Sequence, residues 1–277
     1  MTNSYAWLRS LLLCGFTIFI STPAIAQITP DNTLGAESSR LTPNVTISGE
    51  NGDRIDGGAT RGSNLFHSFS DFNVDDGQRV YFVNPNGIQN ILTRVTGGNA
   101  SNILGTLGVD GGANLFLLNP NGIIFGQNAR LDLRGSFVGT TANAIGFGEQ
   151  GFFSATDPNS PPLLTVNPSA LLYTQINSGA IANRAPLNGI SSPEQGSRYF
   201  VGGNVTFDGG GATVVGNRLE LGGLTGKGTV GLTGSGNQLQ LNFPSGVPRA
   251  DVLLQNSAGA FTTNGGAITV QAGPTTA

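Results

Sequence analysis

The chain has 277 residues, of which 10% are charged, with 13 basic and 16 acidic side chains and a formal net charge of −3. Lys227 is the only lysine and no basic run exists, which argues against nucleic acid or an anionic membrane surface as partner. Cys14 is the only cysteine and His67 the only histidine, so neither a disulfide framework nor a zinc site of Cys and His ligands is available.

Taken from the start, Arg9 supplies a short positive region and Leu11 to Ile20 an apolar run. That run is about half the roughly 20 residues a membrane-spanning helix needs. Ala24-Ile25-Ala26 is the small-residue pattern read by signal peptidase, with cleavage before Gln27. Residues 1–26 are therefore expected to be a signal peptide that hands the chain to the general secretion machinery. Cys14, Met1 and Trp7 leave with it, and the remainder has no thiol.

After residue 27 no amphipathic helix is expected, because apolar runs are short and broken by Gly, Asn, Asp and Pro. The 43 glycines lack the every-third spacing of collagen and sit beside Val, Ile, Leu and Phe, which points to many strands and tight turns. Val45 and Ile47 alternate with Thr46 and Ser48; Val80 to Val83 and Leu115 to Leu118 are apolar runs. Further on, apolar pairs at i and i+2 recur at Val205/Phe207, Leu219/Leu221, Val230/Leu232, Leu239/Leu241, Val252/Leu254 and Ile268/Val270. Each pair is expected to be one strand with one face inward. This spacing fits a sandwich, a barrel or a solenoid. Variable turns, recurrence without closure and the lack of a capping element after Ala277 favour the solenoid, continuing past the given chain.

One pentapeptide occurs twice, Asn84-Pro85-Asn86-Gly87-Ile88 and Asn119-Pro120-Asn121-Gly122-Ile123, 119 − 84 = 35 residues apart. Each follows an apolar strand. Asn can bond to backbone ahead, Pro presets φ, and Gly suits the fourth place, so each copy predicts a type I turn and a new strand starting at Ile.

These motifs resemble those of the N-terminal secretion domain of two-partner secretion exoproteins, the filamentous haemagglutinin family. That family carries Asn-Pro-Asn-Leu and then Asn-Pro-Asn-Gly-Ile at about this separation. Residues 119–123 match the second in full; Gly87 stands where the first usually has Leu. Leu65-Phe66-His67-Ser68-Phe69, Arg94-Val95-Thr96-Gly97-Gly98 and Ala113 to Leu118 agree as well, and the detail is most similar to cyanobacterial members. The resemblance implies an all-β, right-handed parallel β-helix with an N-terminal cap and small extra-helical β elements. It implies a secretion domain over 27–150, with β-helix rungs continuing over 151–277. It implies recognition by POTRA domains of an outer-membrane barrel transporter, with Asn84, Pro85, Asn86, Gly87, Asn119, Pro120, Asn121, Gly122 and Ile123 as the secretion and folding motifs. The product would pass through the periplasm to the outside or the cell surface, as part of an adhesin-like exoprotein.

No catalytic residue, metal site or cofactor is expected. His67 lies between Phe66 and Phe69 and reads as a packing residue; Asp75-Asp76 and Asp53/Asp56 read as solvated turn residues rather than a carboxylate pair for glycoside cleavage. A polysaccharide-active β-helix enzyme would cluster Asp, Arg or Lys on neighbouring rungs, whereas here charges look sparse and scattered. That enzyme, and a short secreted surface-binding protein, remain the alternatives.

Overall fold

The computed structural model describes residues 28–159, 161–176, 178–192, 196–234 and 238–273. The expected signal segment, with Ala24, Ala26 and Gln27, lies outside the described residues. The described residues contain no α-helix; the 3-10 turns Gly35–Glu37 and Gly148–Gln150 interrupt the strands.

The strands wind as a parallel β-helix with three faces. Asn90–Val95 lies in sheet A, Ser101–Ile103 in sheet C and Thr106–Asp110 in sheet B; the chain then returns to sheet A at Asn114–Leu118. Asn114 pairs in parallel with Asn90, so this turn takes 114 − 90 = 24 residues. Sheet A is the spine, running in pairing order through Asn64–Asp71, Asn90–Val95, Asn114–Leu118, Phe137–Thr140, Arg198–Gly202, Arg218–Gly223 and Ala267–Gln271. In later turns a small parallel sheet, Ser191–Ser192, Gly211–Val215 and Gly259–Thr263, follows sheet B.

The N-terminal end is capped by antiparallel pairing. Thr29–Pro30 lies against Asn64–Asp71, and the hairpin Ser39–Ile47/Glu50–Gly57 closes sheet B. Its two-residue loop, Ser48 (φ 52°) and Gly49 (φ 87°), has the double positive φ that matches the right-handed twist of paired strands.

After Thr140 the chain leaves the solenoid. Ala144–Gly146, Phe152–Ser154 and Ala170–Tyr173 form an antiparallel sheet D, joined later by Gly228–Thr233 and Gln240–Asn242. Sheet D covers the outer face of sheet A. Leu115 and Leu117 therefore point into the solenoid while Phe116 and Leu118 pack outward with Ile145, Phe147, Phe153 and Leu171. A strand buried on both faces reads as a continuous apolar run, which is why Leu115 to Leu118 does not alternate. The interior is aromatic at two levels, Phe69, Phe72 and Phe82 near the cap and Phe125, Phe137, Phe200 and Phe207 further along.

Several expectations are corrected. Val205/Phe207 and Leu219/Leu221 do point inward on rungs, but Val230/Leu232 and Leu239/Leu241 belong to the antiparallel region and bury against the outside of sheet A. Alternation signals one covered face without saying what covers it. Leu254, Ile268 and Val270 are exposed on the last described turn. Asp53 and Asp56 lie within the strand Glu50–Gly57, not in a turn.

Candidate functional site

The two pentapeptides occupy different corners. Asn84 follows the sheet B strand Arg79–Val83 and leads to sheet A; Asn119 follows the sheet A strand Asn114–Leu118 and leads to sheet C. Their separation of 35 residues is longer than one 24-residue turn, so the copies do not stack.

The second copy is held between rungs. Gly122 N donates to Asn119 O at 3.1 Å, closing a turn with Pro120 and Asn121 at its centre, as expected. Asn119 is fully buried. Its Nδ2 donates to Asn99 O and Ser101 Oγ, both at 3.0 Å, and its Oδ1 accepts from Asn121 N at 3.0 Å. Asn121 Nδ2 donates to Gly97 O at 2.8 Å. From the next turn, Gly179 N donates to Pro120 O at 2.8 Å, and Ile123 N donates to Ala180 O at 3.1 Å. A Cβ on Gly179 would meet the Asn121 carbonyl carbon at 2.3 Å, so only glycine permits this approach. The strand Ile123–Phe125 begins at Ile123 as expected. A polar cleft of about 610 Å³ lies beside this corner, lined in part by Thr96, Pro120, Asn121, Gln175 and Ser178.

The first copy departs from the expected turn. Ile88 N donates to Pro85 O at 3.1 Å, with Gly87 at φ 85°, so the turn is shifted by one residue and is of type II character. The next strand begins at Asn90, not Ile88. Asn84 Oδ1 accepts from Gly112 N and Ala113 N at 3.0 and 2.9 Å, clamping the neighbouring corner, while Pro85, Asn86 and Gly87 are exposed.

Two polar systems between the corners escaped the sequence reading. Asn64, Asn90 and Asn114 stack as a buried ladder, with Asn90 Nδ2 donating to Asn64 Oδ1 and Asn114 Nδ2 to Asn90 Oδ1, both at 3.0 Å. Ser136 N donates to Asn114 Oδ1 at one end, and Asn64 Nδ2 donates to Leu164 O and Val166 O at the other. The signal was present in the repeated Asn-apolar-apolar starts of three strands.

The second system centres on Arg94, which is 1% exposed. It donates to Ser68 Oγ, Thr33 Oγ1, Ser154 O and Asn159 O, and lies 4.3 Å from the Phe153 ring centroid. Burial pulls its pKa down to about 10, opposed by the charge of Asp31. Burial alone would raise the Asp31 carboxyl, but hydrogen bonds from Thr33, Thr96 and Ser68 outweigh it and hold the group below its ordinary value. The network ties the N-terminal cap to the loop after sheet D's Phe152–Ser154 strand.

Arg198 is a buried cation with carbonyl partners. Its guanidinium donates to Gly135 O, Ser197 O, Leu133 O and Ser191 O, and burial lowers its pKa to about 9. His67 packs as expected, with its ring against Phe69 and Phe82 and Nδ1 3.0 Å from Ser39 Oγ. Burial pushes its pKa down to about 3. Asp75 and Asp76 do sit at a turn. The charges are not all scattered, however: Glu50, Arg79, Arg130 and Asp132 line one groove on sheet B. They are distant in sequence and meet only because successive rungs align.

A sequence model of the TPS secretion domain matches residues 26–273. No curated protein matches the chain. Among solved structures, the HMW1 secretion domain from Haemophilus influenzae is similar at 19% identity with a TM-score of 0.57, covering 84% of this chain and 55% of that chain. This chain thus spans about half the length of that structure. The filamentous hemagglutinin secretion domain is matched at 16% identity with a TM-score of 0.39, over 88% of this chain and 99% of that chain.

Proposed function

The chain belongs to the TPS secretion domain family, and on that premise we propose that it is the secretion-targeting and folding-nucleation domain of a larger adhesin-like exoprotein, of the cyanobacterial kind its motif detail resembles. TPS domains are recognised by TpsB transporters, are secreted through them across the outer membrane, and are typically non-catalytic. For this chain the finer steps are these. Residues 1–26 direct export to the periplasm and are removed there by signal peptidase. The chain meets the POTRA domains of its cognate transporter in an extended form, by strand addition to a sheet edge. It then folds outside, with residues 27–150 as the secretion domain proper and the solenoid continuing within 151–277.

The observation that carries this reading is the second motif corner. Asn119 and Asn121 use their side chains to bond backbone of the preceding rung, while Pro120 O accepts from Gly179 N and Ile123 N donates to Ala180 O of the following one. Their role is to lock rungs in register as each emerges. Pro85, Asn86 and Gly87 face solvent in the folded domain, so they can serve transporter contact without a folding role to compete with it.

The test is secretion of the chain from a Gram-negative host with and without the transporter, read by protease resistance outside the cell. Transporter-dependent release of a resistant product, lost in Asn119→Ala, supports the reading. Equal release without the transporter overturns it.

A further inference from the structure

We propose that the outer face of sheet B carries a binding groove for carboxylate-bearing oligosaccharides. Parallel register places Arg79, Thr106 and Arg130 in one column along the solenoid and Tyr81, Gly108 and Asp132 in the next. Strands in a sheet stand about 4.8 Å apart, so Arg79 and Arg130 are roughly 10 Å apart along the axis. Gly108 lets the Tyr81 ring lie flat across the middle rung; a Cβ there would sit 2.3 Å from a ring carbon.

That ring organises the groove before any ligand arrives. Tyr81 Oη donates to Asp132 Oδ2 at 2.6 Å, two rungs away, and accepts from Arg79 Nη2 at 2.9 Å. Arg79 Nη1 pairs with Glu50 Oε2 at 3.2 Å. The resulting cleft of about 480 Å³ also takes in Asn188.

The groups left uncommitted are those a sugar acid needs. Arg130 is exposed and, among the described residues, has no hydrogen-bonding or acidic side-chain partner. Its planar fork suits a carboxylate in bidentate geometry. Asp132 keeps one oxygen free to accept sugar hydroxyls, and the Thr106 hydroxyl and Asn188 amide are likewise open. A densely charged polysulfated or polyphosphate chain would set more negative charge against Glu50 and Asp132 than a uronate does, and a neutral glycan would leave Arg130 unused. Because the side chains stand on stacked strands, little ordering is required when a chain is laid along the axis.

Isothermal titration of the exported chain with an oligogalacturonate and with a neutral cello-oligosaccharide of equal length tests this. The expected result is saturable uronate binding, with the neutral oligomer at least about tenfold weaker. Arg130→Ala should weaken uronate binding about tenfold, the scale of one lost charge-assisted contact, while Arg184→Ala, on another face, leaves it unchanged. Circular dichroism confirms that each variant is folded. No saturable uronate binding by the folded protein, equal affinity for the neutral oligomer, or wild-type affinity in Arg130→Ala would each overturn the proposal.

Discussion

The same five residues build two different corners. At the second corner the chain turns between two neighbouring rungs; Asn119 Nδ2 bonds backbone and hydroxyl of the preceding rung while its Oδ1 accepts from Asn121 N within the turn. At the first, Asn84 clamps the neighbouring corner and Ile88 enters the core, while Pro85, Asn86 and Gly87 face water. Turn chemistry is local and permits both; which one forms is decided by which neighbours the solenoid brings alongside. A motif residue is worth as much as the buried partners its corner supplies.

The comparison is sharpest at the two leading asparagines. Asn119→Ala removes two donated bonds and the acceptor for Asn121 N in a fully buried setting, and should cost about 3 kcal/mol in urea denaturation. Asn84→Ala loses its clamp on Gly112 and Ala113, but water can replace much of it, so about 1–2 kcal/mol is expected. Equal losses would show that the two corners are equivalent.

Acid probes the rungs that join the corners. A buried histidine with a depressed pKa stabilises fully above the unfolded value near 6.5, and that contribution is lost as pH falls from there toward about 3. Asp31, also depressed, acts in the same direction at lower pH, through the ordinary carboxylate range and below. Stability should therefore fall by about 1 kcal/mol per pH unit from His67 alone between pH 6 and 5. Denaturation midpoints of His67→Asn across that range should show a flatter slope; an unchanged slope would remove His67 as the cause.

Smaller effects belong to the exposed half of the first copy. Gly87→Leu installs the residue usual in the family, yet Gly87 sits at φ 85° with open space around it. The expected outcome is a loss of about 1 kcal/mol from backbone strain alone. Asn86→Ala should change stability by less than about 0.5 kcal/mol, so any secretion defect it causes would report transporter contact.

Part of this was legible in advance. Short apolar runs between glycine-rich turns announced strands, and the second pentapeptide announced its turn and the strand start at Ile123. The true rung repeat was also written in the chain, as Asn64-Leu65-Phe66, Asn90-Ile91-Leu92 and Asn114-Leu115-Phe116. It was masked by the pentapeptide, whose 35-residue separation is not a rung period. Arg94 and Arg198 gave no such warning, because a charged residue reads as solvated until the carbonyls that hold it are known.

By itself, then, the amino-acid order determined the strand-and-turn character, the local turn at Asn119 and the packing role of His67, because propensity, φ preference and apolar patterning act within a few residues. Only the tertiary structure decided that Val230 and Leu232 cover the outside of sheet A, that Asn84 clamps a neighbouring corner and that Arg79 and Arg130 share a groove. Those outcomes depend on register between rungs some two dozen residues or more apart, and no local pattern encodes which residues a stacked strand will stand beside.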